Sequence, residues 1–117
     1  MAGSTPLETI TTLIEARRSH DEPTAFDCYA KNALVMLQPD EQGVGEAAIK
    51  AFIVAVGNLD PSFEKHDILE HDDIALHTSR YVLNLGDKGT ISGRTADVLR
   101  RDADGTWRII IDNAFAE

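Results

Sequence analysis

The stretch from Ile74 to Phe115, IALHTSRYVLNLGDKGTISGRTADVLRRDADGTWRIIIDNAF, decides the fold. Apolar and polar residues alternate along three segments of it, 74–85, 90–101 and 106–115, and two short polar turns that contain glycine separate them. A period of two indicates β-strands, and short glycine turns join antiparallel neighbours. The stretch therefore predicts a three-stranded antiparallel meander.

The upstream part of the chain is predicted to form helices and shorter strands. Thr5 is a good N-cap, Pro6 suits the first helical position, and Glu8 completes a capping box. The predicted upstream elements are a helix from there to Arg18, a helix from Asp21 to about Asn32, a buried strand 33–37, a helix 46–56 and a strand 63–70. We expect an α+β fold, with residues 1–117 as a single domain. A curved sheet, mixed or antiparallel, would wrap round three N-terminal helices.

Composition narrows the possible partners and the compartment. The net charge is −9, which repels phosphate backbones and anionic lipid, so we expect neither nucleic acid nor membrane as a partner. The one cysteine, Cys28, excludes an intrachain disulfide, and we expect it to be a packed helix residue. The first residues lack the basic and apolar regions of a signal peptide, so a cytoplasmic location is expected.

The lengths of the two turns predict which residues of the meander share a face. A two-residue first turn places Tyr81 opposite Arg94, and a four-residue second turn places Val98 opposite Ile109. The more apolar face, expected to cover the helices, then carries His77, Ser79, Tyr81, Leu83, Arg94, Ala96, Val98, Trp107, Ile109, Ile111 and Asn113. The outer face carries Thr78, Arg80, Val82, Thr95, Asp97, Leu99, Arg108, Ile110 and Asp112. A one-residue slip would exchange these sets.

Polar residues within the strands are the candidates for a site. Asp97 and Asp112 are candidate general bases if buried, although ion pairs with arginines on the outer face are the simpler explanation of both. Asp112 lies near the strand end, where it can reach the mouth of a pocket. Tyr81 is a candidate donor to a developing oxyanion, or else packs its ring and bonds to backbone. The residues expected to contact a ligand are Tyr29, Phe52, Ser79, Arg94, Trp107 and Asn113.

Histidines are frequent between the third helix and the meander, but their spacing is not that of a metal site. His66, His71 and His77 match no zinc or iron signature, so no metal is expected. The sequence also contains no glycine-rich phosphate loop and no nucleophile elbow, so no cofactor is expected.

The closing segment, VLRRDADGTWRIIIDN from Val98 to Asn113, resembles the end of nuclear transport factor 2-like domains of the SnoaL-like and ketosteroid isomerase-like branch. The order of the other elements fits as well. The resemblance implies a cone-shaped sheet round three helices, a pocket at its wide end, and homodimers through the outer sheet face. Proteins of this superfamily include isomerases, cyclases, dehydratases, hydrolases and non-catalytic binding domains. Its steroid isomerases use a carboxylate base with a tyrosine and an acid as oxyanion donors.

Two functions are therefore expected to compete. The first is acid–base chemistry on a small apolar or carbonyl-containing molecule, as in an isomerase, cyclase or hydrolase. The second is a non-catalytic, dimeric ligand-binding or assembly domain. A titratable carboxylate inside a ligand-sized cavity favours the first function, and a filled or wholly apolar cone favours the second.

Overall fold

The computed structural model describes residues 2–116, and within them it contains three α-helices and one seven-stranded sheet. The helices are α1 (Pro6–Arg18), α2 (Glu22–Asp27) and α3 (Glu46–Val56). The strands are β1 (Tyr29–Gln38), β2 (Glu41–Val44), β3 (Ser62–Phe63), β4 (Asp67–His71), β5 (Ile74–Asn84), β6 (Thr90–Arg101) and β7 (Trp107–Ala116). No helix among these is long and apolar enough to cross a membrane.

The sheet is mixed and open, and its order is β2-β1-β7-β6-β5-β3, with β4 also paired to β5. β1 and β7 run parallel, and the other neighbours run antiparallel. Alternate residues of β5 and β6 are buried, as expected for strands that cover helices with one face. The predicted α+β class and the curved sheet round three helices are confirmed.

Local signals placed α1 and α3 correctly. The Thr5 side chain accepts the Glu8 amide at 3.1 Å, and the Glu8 carboxylate reaches back to the Ser4 amide at 2.9 Å. These bonds satisfy amide groups that the first turn leaves without helical partners. α3 begins at Glu46 after Gly45, whose φ of 97° suits glycine, and ends at Val56 as predicted.

The middle of the chain differs from the prediction. α2 ends at Asp27, and Tyr29 is the first residue of β1 instead of a helical residue. The Ile109 amide donates to the Cys28 carbonyl at 2.9 Å, so pairing with β7 turns the chain into a strand at that point. The predicted polar loop after β1 contains the short strand β2, and the predicted strand 63–70 is divided into β3 and β4.

The register of the meander also differs, because both turns contain five residues. Asn84 pairs with Thr90 and Arg101 with Trp107, so 85–89 and 102–106 are the loops. The Leu85 amide donates to the Gly89 carbonyl, and the Asp102 amide donates to the Thr106 carbonyl, both at 2.8 Å. Each bond closes a five-residue turn. Tyr81 therefore pairs with Gly93 instead of Arg94, and every residue of β6 faces the opposite way from the prediction.

A β-bulge completes the change of register between β6 and β7. Leu99 pairs with Ile109 but Val98 pairs with Ile111, which leaves Ile110 as the extra residue. Before the bulge Trp107 and Ile109 point inward, as predicted, and both are buried. After it the inward residue is Asp112, and Ile111 is exposed on the convex face.

The N-terminal residues attach α1 to the last strand through buried Thr9. Its hydroxyl donates to the Trp107 carbonyl at 2.7 Å and accepts the Gly3 amide at 2.9 Å. The Trp107 amide donates to the Gly3 carbonyl at 2.9 Å. Trp107 is thereby held in the core with 2% of its surface exposed.

Candidate active site

The concave face of the sheet and the helices line a cavity of about 140 Å³ that is partly open to solvent. Most of its wall is apolar, and α1, α3 and the strands all contribute; examples are Leu13, Phe52, Val56, Phe63, Leu83 and Phe115. Its polar wall residues are Arg17, His77, Tyr81, Thr95, Asp97 and Asp112. An apolar cavity with a few convergent polar groups is the usual form of a small-molecule site.

A wider groove of about 980 Å³ lies against α2, α3 and the start of β1. Several of its charged side chains have partners within the groove. Arg108 bonds to Asp27 and Asp102, and Lys50 lies 5.1 Å from the centre of the Phe26 ring. Charges paired in this way at the surface are typical of a solvated face. The smaller cavity has buried polar residues in its wall and is therefore the candidate site.

Two buried carboxyls form the centre of the cavity wall. Asp97 and Asp112 are direct partners across β6 and β7, both point inward, and each is 4% exposed. A proton held by one of them would allow a hydrogen bond between the two side chains, because two carboxylates have no donor of their own. Two adjacent carboxylates in a buried site do not both ionise readily, so the pair titrates as a unit.

Burial is the main cause of the raised pKa values of this carboxyl pair. Burial and the neighbouring Asp97 charge raise the pKa of Asp112 to about 7. Burial also raises the pKa of Asp97 to about 6, against the opposing effect of hydrogen bonds from Asp112 and Thr95. A group that titrates near neutral pH can both accept and donate a proton there.

Tyr29 and Arg17 support Asp112 from the helix side. The Tyr29 hydroxyl donates to Asp112 Oδ2 at 2.5 Å, and Arg17 Nη2 donates to the Tyr29 oxygen at 2.9 Å. Burial and the Asp112 charge raise the pKa of Tyr29 well above its ordinary value, so it stays protonated. Burial works against the charge on Arg17, but Tyr29 and Asp112 outweigh it and the pKa of Arg17 is raised.

Thr95 and two histidines support Asp97 from the other side. The Thr95 hydroxyl donates to Asp97 at 3.0 Å, and His77 Nδ1 lies 2.8 Å from Asp97 Oδ2. His77 Nε2 lies 2.9 Å from Nδ1 of His66. Burial lowers the pKa of both histidines, so both are neutral at neutral pH. When Asp97 is ionised and accepts, His77 carries its proton on Nδ1, and its Nε2 receives a hydrogen bond from His66.

The structure brings together several residues that the sequence analysis named. Asp97 and Asp112 meet in the cavity, and Tyr29 lies behind Asp112. Phe52 lines the cavity, with its ring 5.5 Å from the Arg17 guanidinium. Tyr81 also lines it, but its hydroxyl donates to the Ala114 carbonyl at 2.7 Å.

Other named residues lie elsewhere, for reasons that follow from the register. Arg94 is exposed on the convex face, and Asn113 lies on that face opposite Ala96, because the five-residue loop and the bulge reverse their predicted directions. Placing Asp97 and Asp112 on the outer face was wrong for the same reason. Trp107 lies in the core. Ser79 is buried on the concave face, with its hydroxyl 3.4 Å from the Arg80 carbonyl.

Sequence reasoning missed Arg17, Thr95, His66 and His77 as parts of the site. A signal for Arg17 was present, because it follows Ile10, Leu13 and Ile14 at helical spacing and thus continues the apolar face of α1. A charge on that face has to find a partner in the interior. No sequence pattern brings His66 to His77, since a break and a turn separate them.

Comparisons with known proteins identify the fold. A scan against protein-family models found no match, and a search of curated proteins found none either. Among solved structures, a protein of unknown function from Pseudomonas putida KT2440, described as NTF2-like, aligns with TM-score 0.80 at 20% identity, over 95% of this chain and 83% of that one.

Two further structures agree, although their names suggest different roles. A candidate ketosteroid isomerase from Shewanella frigidimarina aligns with TM-score 0.81 at 19% identity, over 90% of this chain and 89% of that one. A candidate calcium/calmodulin-dependent protein kinase II association domain from Thiobacillus denitrificans aligns with TM-score 0.79 at 18% identity, over 97% of this chain and 95% of that one. At such identities the likeness concerns fold and not activity. The chain therefore has the cone-shaped α+β fold of nuclear transport factor 2-like (NTF2-like) proteins.

Proposed function

We propose that this chain is an enzyme that moves a proton on a small apolar carbonyl compound, with Asp97 and Asp112 as its acid and base. One observation carries the proposal. Two adjacent buried carboxyls, whose pKa values are raised to about 6 and about 7, line a largely apolar cavity. Carboxyl groups held partly protonated at neutral pH are a recurring means of acid–base catalysis.

The chemistry that this pair supports is enolisation. The ionised carboxylate takes a proton from the carbon next to the carbonyl, and the C–H electron pair forms a carbon–carbon double bond. The protonated carboxyl gives its proton to the carbonyl oxygen, which yields an enol. Return of the first proton to a different carbon, with return of the enol O–H proton to the other carboxylate, gives an isomerised ketone and restores the carboxyl pair. Tyr29 and Thr95 donate hydrogen bonds to the pair while its charge changes.

The size of the cavity restricts the substrate. A cavity of about 140 Å³ is close to the roughly 150 Å³ that holds one benzene molecule in a protein interior. A compound with one six-membered ring therefore fits. Its ring would contact the apolar wall, and its carbonyl group would face the carboxyl pair.

The experiment measures conversion of cyclohex-3-enone to cyclohex-2-enone, together with deuterium exchange next to the carbonyl of cyclohexanone. We expect acceleration over buffer that falls by roughly 10²- to 10⁴-fold in D112N and in D97N. The matched control is D87N, a carboxylate in the exposed turn after β5. The proposal is contradicted if the folded protein accelerates neither reaction. It is also contradicted if wild type, D97N and D112N accelerate them equally.

We also propose that the convex face of the sheet binds a second copy of this chain. Register pairs join one row of apolar residues across five strands, in the order Leu69, Leu76, Val98, Ile111 and Leu34. Leu69 is 72% exposed, and Leu76 and Ile111 are each 39% exposed. A contiguous exposed apolar surface is typical of an interface, and two identical faces can pair about a two-fold axis.

Light scattering tests the dimer. We expect twice the 12.8 kDa protomer mass at micromolar concentration. Leu76→Lys should give a folded monomer, because it places a charge in the middle of the row. Val54→Lys, at an exposed apolar position of α3, should remain dimeric. A monomeric wild-type protein, or a dimer unaffected by Leu76→Lys, rejects this interface.

The second candidate function is a non-catalytic ligand-binding or assembly domain. It is favoured by the hydroxyl groups of the network, since those of Tyr29, Thr95 and Tyr81 each donate to a protein acceptor. One structural neighbour is named as an association domain. The ketone assays separate the two functions, because a binding domain would bind the single-ring ketones without converting them.

A further inference from the structure

We propose that two copies of this chain pack convex face to convex face with antiparallel strands, so that Arg80 and Arg94 of each copy meet acidic strand ends of the other. This inference rests on the dimer proposed above, which depends only on the apolar row, and it adds the orientation of the two copies. Opposite charges at the two ends of β5 and β6 carry it.

One end of the convex face has an excess of positive charge. Arg80 and Arg94 are directly opposite each other on β5 and β6, and both are exposed. Like charges in opposed positions destabilise a sheet. Within residues 2–116 neither arginine forms an ion pair, although Glu64 lines the same cleft, and the adjacent Lys65 is paired with Asp67 at 3.2 Å. Three basic side chains at this end therefore exceed two acidic ones.

The other end of the convex face has an excess of negative charge. Asp72 lies in the turn between β4 and β5, with its side chain 87% exposed. Arg100 and Arg108 lie on the convex face near it and form ion pairs with three carboxylates. These carboxylates belong to Asp27, Asp102 and Asp104. Four acidic side chains at this end therefore exceed two arginines.

The apolar row lies midway between the two charged ends. Arg80 is four residues from Leu76 in one direction along the chain, and Asp72 is four residues from it in the other. On β6 the same count from Val98 leads to the second arginine in one direction and to the start of the acidic loop 102–106 in the other. Four residues of strand span roughly 14 Å. Opposite charges therefore lie at equal distances on either side of the row.

This arrangement selects one symmetry axis. A two-fold axis that joins two identical faces lies in the plane between them. An axis along the apolar row makes the strands of the two copies antiparallel and brings each arginine end over the acidic end of the partner. An axis along the strands also pairs the row with itself, but it brings arginines over arginines. Opposite charges across an interface favour association and like charges oppose it, so the first axis is preferred.

The angle between the two sheets does not change this choice. Aligned sheets pack with their strands about 30° apart. Such a rotation changes which arginine faces which carboxylate, but the same ends still meet.

The orientation also determines where the cavities open. Leu59 and Phe115 line the cavity and are 39% and 36% exposed. Ala116, the next residue after Phe115, pairs with Arg94, so the cavity reaches solvent near the arginine end of the strands. With antiparallel strands the two cavities open at opposite ends of the dimer. Each copy then takes up a ligand independently of the other.

Charge reversal at the two ends tests the orientation. R80E/R94E makes the arginine end acidic, and H71K/D72K makes the acidic end basic. At low salt each variant should dimerise roughly tenfold more weakly than wild type in sedimentation equilibrium, because like charges then meet at both ends of its dimer. When the two variants are mixed, each reversed end meets an end of opposite charge. Native mass spectrometry should therefore show more heterodimer than either homodimer.

The matched control is K50E/K88E, which changes the net charge by the same amount as R80E/R94E. Its positions are exposed, one on α3 and one in the turn after β5, and both lie away from the convex face. The control should dimerise more tightly than R80E/R94E. R80Q/R94Q adds no new charge and should also weaken the dimer, because it removes the attraction between the ends.

Three results would overturn this orientation. An axis along the strands predicts that R80Q/R94Q dimerises more tightly than wild type, and that wild type prefers R80E/R94E as its partner. Sheets that cross at right angles predict that R80E/R94E behaves like its control. A mixture of the reversed variants that contains no excess of heterodimer also contradicts it. A wild-type dimer that Leu76→Lys disrupts but charge reversal does not would keep the interface and reject only its orientation, whereas a monomeric wild type rejects both.

Discussion

The two faces of the β5–β6–β7 sheet are built from alternating residues of the same strands, yet they differ in an unusual way. On the concave face, Asp97 and Asp112 are 4% exposed. On the convex face, Ile111 is 39% exposed and Val98 is partly exposed. Each buried aspartate is thus adjacent in sequence to an apolar residue that points to solvent. Aspartate is among the residues least often fully buried.

The difference indicates that neither face is arranged for the stability of the single chain alone. Burial of the acids costs free energy, which shows as raised pKa values, and hydrogen bonds from Tyr29, Thr95 and His77 offset part of it. Exposed apolar residues contribute no hydrophobic stabilisation unless a partner covers them. Local violations of this kind are concentrated at functional surfaces.

Removal of the Arg17 charge should have the largest effect on the concave face. Arg17→Met leaves the buried Asp112 without its cation, and loss of one partner of a buried ion pair costs about 3–5 kcal/mol. We expect that loss of unfolding free energy at pH 8 and a smaller loss at pH 5, where the carboxyl pair is protonated. Urea denaturation at both pH values measures it. An equal loss at both would show that Arg17 acts by packing alone.

Truncation of adjacent residues compares the two faces directly. Leu99 is 0% exposed on the concave face, so Leu99→Ala should reduce the unfolding free energy by about 2–5 kcal/mol. Val98→Ala on the convex face should cost less than about 1 kcal/mol in the isolated protomer, because solvent already reaches that side chain. Urea denaturation below the dimer dissociation constant makes this comparison. Similar losses would mean that the faces are assigned wrongly.

The carboxyl pair should make stability depend on pH. The pKa values of about 6 and about 7 exceed the ordinary 3.8, so the folded chain binds more protons than the unfolded chain between pH 4 and 7. Stabilisation by the pair is full below pH 4 and is lost as pH rises through 6 and 7. D112N removes one such group. From pH 5 to pH 8 it should therefore gain about 2 kcal/mol relative to wild type.

Thermal or urea unfolding across this pH range checks the gain. The lowered pKa values of His66 and His77 act in the opposite direction, since their contribution is lost as pH falls. Both proteins contain these histidines, so their contribution largely cancels in the difference. A difference that does not change with pH would contradict a shared proton on the pair.

The smallest expected effect concerns Gly93, which lies under the Tyr81 ring. A Cβ at position 93 would meet Tyr81 Cζ at 2.5 Å, so Gly93→Ala has to displace that ring from its bond with the Ala114 carbonyl. Because the atoms that must move are the end of a side chain, we expect a cost of about 1 kcal/mol. Ser92→Ala, at an exposed position, should cost less. Unfolding measurements compare the two variants, and equal costs would place Tyr81 elsewhere.

Much of the fold followed from local pattern, but the site did not. Capping residues and helical spacing predicted α1 and α3, and alternation predicted the three strands of the meander. Asp97 and Asp112 were candidates that could be either buried or on the outer face, and the predicted register put them on the wrong face. The residues from Leu85 to Gly89 suit a two-residue hairpin loop as well as a five-residue one. Turn composition therefore does not decide the loop length.

The sequence by itself determined α1, α3 and the three strands of the meander, because capping, periodicity and turn residues act over a few positions. Only the tertiary structure decided which side of each strand faces the helices. That choice depends on one residue of register and on a bulge at Ile110, whose energies come from packing across the whole sheet. Asp97, Asp112, Tyr29 and Arg17 are far apart in sequence, and the cone brings them together because β1 joins β7 over the last turn of α1.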